Sequence, residues 1–116
     1  MKINWILCLG VILSSSAFAE QLTQSQYDIK VRQFYNALET TQADLNRALD
    51  KRDSLSSILK KSCEYANYMR NLEKLSLENI HLRKAQDEVN FIRGLIQNFD
   101  QSLEDLGTTY NRSCKR

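Results

Sequence analysis

Apolar residues in the C-terminal half of the chain recur at alternating steps of four and three, and this spacing restricts the fold more than any other feature. The series is Ala85, Val89, Ile92, Ile96, Phe99, Leu103, Leu106 and Tyr110. Such a heptad repeat is typical of helices that pack as coiled coils do. Phe91 and Leu95 widen the stripe, so we expect this helix to contact more than one neighbour.

The preceding segment predicts helices as well. Its apolar residues follow a similar three-and-four rhythm, at Val31, Phe34, Leu38, Leu45, Ala48, Leu55 and Leu59. The chain has no proline, and after residue 19 its glycines are Gly94 and Gly107. Residues that favour helices are abundant, and the glycine and proline residues that usually mark turns between strands are nearly absent. We therefore predict an all-α fold. Gly107 suits a left-handed helix cap, which leaves residues 108–116 as an irregular tail.

The N-terminus has the layout of a secretory signal. Lys2 precedes an apolar run over residues 3–13, and small residues at Ala17 and Ala19 fit cleavage after Ala19. The run is about half of the roughly 20 residues that span a bilayer, and no second apolar run follows. We therefore predict a signal peptide over 1–19, a single helical domain over 20–116 without a membrane span, and a periplasmic or secreted location.

Two cysteines, Cys63 and Cys114, remain after the predicted cleavage. An even number of cysteines in an exported chain predicts a disulfide bond. In a two-helix hairpin that turns near Cys63, the second helix would carry Cys114 roughly 60 Å away. Three helices near 24–50, 53–76 and 79–106 bring the pair within reach of one another. We prefer this small antiparallel three-helix bundle, and the long hairpin stays open if the cysteines bond between chains or stay reduced.

The stretch Leu22 to Tyr27 predicts the start of the first helix. With Thr23 as N-cap and Gln26 three residues later, the two side chains form a capping box, and Leu22 and Tyr27 form a hydrophobic staple. Leu22, Thr23 and Gln26 also spell L-T-x-x-Q, which resembles the short motif of the periplasmic spheroplast-protein family of stress-response chaperones. That resemblance implies a helical hairpin that dimerises into a cupped surface for unfolded proteins.

Charge and chemistry-bearing residues argue against several functions. The net charge is +2 with both signs interspersed, which gives no support for binding to nucleic acid or to anionic membranes. His81 is the single histidine, and Glu78 lies three residues before it, so we expect both side chains on one helical face. Di-metal sites need this E-x-x-H spacing twice, so a metal-binding carrier is only an alternative. A nucleophile site would also depend on His81, and no glycine-rich elbow lies near it. We expect no enzyme activity, no cofactor and no metal site.

The apolar helix faces are the remaining feature that could carry a function. Tyr35 and Tyr68 lie beside the stripes and either pack at the edge of the core or, if exposed together, form a partner-binding patch. We expect an exported non-enzymatic helical protein that binds another protein, or itself, as a periplasmic accessory, inhibitor or secretion-system component. A chaperone or stress adaptor of the L-T-x-x-Q type and a metal carrier are the alternatives.

Overall fold

A computed structural model describes residues 21–115 as an all-helical bundle. The helices are α1 (Gln24–Asp50), α2 (Leu55–Glu78), α3 (Ala85–Asp105) and the short α4 (Tyr110–Ser113). No strand is present in residues 21–115, and α2 packs along both α1 and α3. The predicted three-helix architecture is confirmed, whereas the predicted signal peptide lies outside the described residues. Between residues 21 and 115, no helix combines the length with the apolar character that crossing a bilayer takes.

Helix α1 begins at a capping box. The Thr23 hydroxyl accepts a 3.1 Å hydrogen bond from the Gln26 amide, and the Gln26 side chain accepts a 3.0 Å bond from the Thr23 amide. Leu22 packs against the cluster that contains Tyr27, which fixes how the chain enters the helix. The local sequence therefore accounts for the first turn of α1.

Helices α1 and α3 both end in a Schellman motif. At the end of α3, Gly107 has φ 86, its amide donates to the Glu104 carbonyl at 2.9 Å, and the Thr108 amide donates to the Leu103 carbonyl at 3.0 Å. At the end of α1 the equivalent left-handed position is Arg52, with φ 56. A non-glycine residue is strained there, because its Cβ crowds the backbone.

The core consists of two adjoining clusters. The larger contains Leu38, Ala66, Met69, Leu72 and Ile92, and the smaller contains Tyr27, Leu75 and Ala85. We call the end of the bundle that holds the smaller cluster and the 79–84 connection the lower end. The opposite end, with the 51–54 turn and residues 106–115, is the upper end.

The C-terminal tail is more regular than expected. Thr109 caps α4 by accepting a 3.1 Å hydrogen bond from the Arg112 amide, so residues 110–113 form a helix where an irregular segment was predicted. The cause is this local cap together with anchoring to α2. Cys63 and Cys114 form a disulfide with a Cα–Cα distance of 5.2 Å, as predicted for an intrachain bond.

Tyr110 provides a second anchor for the tail. Its hydroxyl donates to the Asn67 side-chain oxygen at 2.6 Å, and the Arg70 guanidinium lies 3.7 Å from the centroid of its ring. Arg70 also donates to both carboxylate oxygens of Asp100 on α3, at 3.0 and 3.1 Å. The tail is thereby fixed to α2, and Arg70 links this attachment to α3.

Candidate interaction surface

One face of α3 exposes large apolar side chains. Phe91 is 56 % exposed and Leu106 is 70 % exposed, while Leu95 is half-buried. At 100° per residue these three positions fall within an arc of about 60°. We call Phe91, Leu95 and Leu106 the exposed α3 face. Its apolar area is what a partner could bury.

Tyr35 of α1 supports this face. Its ring centroid lies 6.3 Å from that of Phe91, and its hydroxyl donates a hydrogen bond to the Glu88 carboxylate. Burial raises the pKa of Tyr35, and the bond to Glu88 raises that pKa further. Tyr35 therefore stays neutral at physiological pH and holds the Phe91 ring against α1.

A groove of about 520 Å³ lies below Tyr35, between α1 and the start of α3. Its lining residues are Gln24, Tyr27, Asp28, Val31, Arg32, Tyr35, Arg83, Lys84 and Glu88. Gln24 closes the base, because its side chain accepts a 2.9 Å hydrogen bond from the Arg83 amide and donates to Asp28 at 2.9 Å. The groove thus has an apolar floor and a rim that carries both charge signs.

A second, mostly polar stripe follows the outer side of α3. It consists of Lys84, Asp87, Phe91, Gly94, Asn98, Gln101 and Asp105, which are all exposed and spaced by alternating threes and fours. We call these seven residues the outer α3 stripe. Only Phe91 belongs both to this stripe and to the exposed α3 face.

Gly94 at the centre of the outer α3 stripe has no structural use within the described chain. A Cβ at this position would meet no heavy atom within 4 Å in residues 21–115, beyond its immediate neighbours and the backbone of its own helix. Glycine inside a helix costs about 1 kcal/mol relative to alanine. The chain therefore keeps a destabilising residue where its own packing would accept a side chain.

Tyr35 and Tyr68 do not form the shared patch considered from the sequence. Tyr68 borders grooves between α1 and α2, beside Phe34 and Ala37, whereas Tyr35 faces α3. The reason is rotational, since successive residues of a helix point about 100° apart. Tyr68 is partly exposed, but it lies on a different side of α1 from Phe91.

A further groove lies at the disulfide. It runs between the first half of α2 and α4, has a volume of about 660 Å³, and includes Leu55, Leu59, Cys63 and Cys114 in its lining. Leu55 is among the most exposed apolar residues of the described chain. This groove is an alternative place for a ligand, although it lacks an aromatic anchor.

Glu78 and His81, the residue pair considered for metal binding, are arranged differently from the expectation. The expectation that Glu78 and His81 share a helical face is wrong, because α2 ends at Glu78 and His81 lies in the connection that follows. Between residues 21 and 115, no group of three or more His, Cys, Asp or Glu residues is placed to hold a metal ion. His81 is exposed to solvent.

The sequence identified Phe91 and Leu95 as residues that widen the heptad stripe. It did not identify the outer α3 stripe. Six of the seven residues in that stripe are not apolar, so a search for apolar periodicity passes over them. The available signal was Gly94, a glycine in the middle of a strong helical pattern.

The chain was compared with known protein families, curated proteins and solved structures. None of them matches it.

Proposed function

We propose that this chain is an exported, non-enzymatic protein that acts by binding another protein through the exposed α3 face. The observation that carries the proposal is Phe91, a largely exposed aromatic ring held in place by Tyr35. Aromatic anchors on rigid elements contribute most to binding, because little conformational entropy is lost when they are buried.

Two features support export. The first 19 residues have the three-part pattern of a cleaved signal. The pairing of Cys63 with Cys114 fits an oxidising compartment, where disulfides persist. The proposal therefore places the protein in the periplasm or outside the cell, as an accessory protein, an inhibitor or a secretion-system component.

The chaperone alternative receives less support. The residues of the L-T-x-x-Q motif have local roles here, since Thr23 and Gln26 form the capping box and the Leu22 amide donates to the Asn79 side chain at 2.8 Å. The fold is a three-helix bundle with an internal disulfide, whereas the resemblance implies a two-helix hairpin. We therefore assign these residues to helix capping.

Site-specific photo-crosslinking tests the proposal. A benzophenone amino acid replaces Phe91 in the oxidised protein, and a matched probe replaces Ile29, which is 47 % exposed on the opposite side of α1 from the core residue Leu38. After irradiation in the native envelope or medium, we expect protein adducts at position 91 and few at position 29. Adducts should disappear when unlabelled wild-type protein competes, and should persist when the competitor is Phe91→Asp.

Equal labelling from positions 29 and 91, or labelling from neither, would contradict a binding role for this face. An aggregation assay with an unfolded client separates the chaperone alternative. If the protein suppresses aggregation and Phe91→Asp has no effect on this activity, the exposed α3 face is not the functional surface.

A further inference from the structure

We propose that the partner for the outer α3 stripe is a second copy of this chain, bound through antiparallel α3 helices that cross at Gly94. The inference rests on the proposed function, because Phe91 belongs to both surfaces. It adds the identity of one partner and the geometry of its binding.

Gly94 indicates close approach by another helix. Interaxial distances depend on the side chains at the contact, and a glycine lets a neighbouring backbone come nearer than any other residue does. Within residues 21–115 the space above Gly94 is open, so this chain does not itself use that freedom. A second helix crossing there gives the glycine a function.

The order of residues along the stripe favours an antiparallel copy. When the stripe is reversed about Gly94, the charged residue at each end meets one of opposite sign, and no like charges face each other. The facing pairs are Lys84 with Asp105, Asp87 with Gln101, and Phe91 with Asn98. A parallel copy would instead place Lys84 against Lys84 and Asp105 against Asp105, which like-charge repulsion disfavours.

Phe91 supplies the apolar contact of this dimer. It lies one turn from Gly94 on the same stripe, so its ring packs between Gly94 and Asn98 of the second copy. Two-fold symmetry makes this contact twice. The stripe carries one large apolar residue per copy, so we expect weak association, with a Kd on the order of 10–100 μM.

Sedimentation equilibrium of the purified, oxidised mature chain at about 5–500 μM is the first test. We expect a concentration-dependent dimer. Gly94→Ala should raise the Kd about tenfold or more while it raises the urea midpoint of the monomer, because alanine improves the helix and blocks the crossing. Asn36→Ala, an exposed change on α1, is the control: it should raise the urea midpoint and leave the Kd unchanged.

A charge exchange tests the register. Lys84→Glu and Asp105→Lys should each raise the Kd by roughly tenfold, and the double variant should restore it to within about threefold of wild type. Both side chains are exposed, so the fold is expected to tolerate the changes.

A chain that remains monomeric at the highest concentration overturns the inference. A dimer whose Kd is unchanged by both Gly94→Ala and the charge exchange overturns it as well. If a monomeric chain still gives adducts to a different protein from position 91, the self-association proposal fails and the proposed function stands. If the only adduct from position 91 is a second copy of this chain, the self-association proposal stands and the binding of another protein through this face is contradicted.

Discussion

The two ends of the bundle are closed in different ways. At the lower end, Tyr27 and Ser76 share a buried 2.7 Å hydrogen bond, and Asn79, with 0 % exposure, donates to the Leu75 carbonyl at 2.9 Å. At the upper end, Leu49, Leu55 and Leu106 are exposed, and a disulfide fixes the tail to α2.

The contrast shows what each kind of closure requires. A buried polar network stabilises only when every member has its partner, because an unpaired group in a dry core is costly. A covalent link acts on the unfolded chain and stabilises a segment that buries little apolar surface. We therefore expect the two ends to respond differently to mutation, pH and reduction.

Removal of the disulfide should have the largest effect. The Cys63–Cys114 bond joins residues separated by 51 positions, and closing a loop of that size contributes about 4 kcal/mol in the chain-entropy model. We expect the Cys63→Ala/Cys114→Ala variant to lose about that much free energy of unfolding in urea titrations.

Hydrogen exchange should localise this loss. In the variant, the amides of residues 107–115 should exchange much faster, while the lower end keeps its relative order of protection. If the amides of the lower end lose their protection from exchange first, the stability of the lower end depends on the disulfide at the upper end. The wild-type protein with its disulfide chemically reduced serves as a second form of the same change.

Asn79→Ala should have the next largest effect. The Asn79 side chain accepts from the Leu22 amide and donates to the Leu75 carbonyl, and its loss leaves buried backbone groups without these partners. We expect a loss of about 2–3 kcal/mol in the free energy of unfolding.

Asn67→Ala is the matched change on the upper side of the molecule. Asn67 is exposed and accepts one hydrogen bond from Tyr110, so its loss should be under about 1 kcal/mol. Similar losses for Asn79→Ala and Asn67→Ala would show that burial of the lower network matters less than we argue.

Alkaline pH should weaken the protein by deprotonating buried tyrosines. Burial raises the pKa of Tyr27, Tyr35 and Tyr65 above the usual 10.0. The folded chain therefore holds these protons more tightly than the unfolded chain does. The stability that results is complete below pH 10 and is lost as the pH rises through the raised pKa values.

Urea unfolding at pH 8, 9.5 and 11 would measure this effect. Tyr27→Phe should be less stable than wild type at pH 8, because the Ser76 hydroxyl loses its partner, but it should lose less stability than wild type between pH 9.5 and 11. An equal loss in both proteins over that interval would mean that Tyr27 does not hold its proton more tightly when folded.

The sequence predicts the helices better than their mutual arrangement. The heptad series of α3 and the T-x-x-Q start of α1 are local patterns, and the distance limit on a cysteine pair favours three helices over two when the bond forms within one chain. The rotation of each helix about its axis is not local. For this reason the sequence could not tell that Tyr35 faces α3 while Tyr68 borders α2 and α1 on another side.

The buried hydrogen bonds at the lower end could not be predicted from the sequence either. Asn79 follows the last apolar turn of α2. A polar residue at such a position ordinarily indicates an exposed helix end. It is buried because the 79–84 connection folds under Leu22, a contact between residues 57 positions apart. The outer α3 stripe is a similar case, since its meaning depends on which side of α3 remains uncovered.

The helix ends give the smallest predicted effect and compare the two Schellman motifs. Gly107 and Arg52 occupy the same left-handed position, at φ 86 and φ 56, after α3 and α1 respectively. Glycine adopts this conformation without strain, whereas the Cβ of arginine crowds the backbone. We expect Arg52→Gly to raise the free energy of unfolding by about 0.5 kcal/mol, since the relief of strain exceeds the entropy lost by a more flexible residue.

Gly107→Ala should do the opposite and lower stability by about 1 kcal/mol. The added Cβ would have no packing clash, but it would strain the left-handed backbone conformation. The two changes should be additive in the double variant, since they lie in separate helix ends. If Arg52→Gly destabilises the protein by as much as Gly107→Ala does, the Arg52 side chain contributes a contact that outweighs its strain. The upper end would then depend on side-chain contacts as the lower end does, and the contrast between the two ends would be weaker.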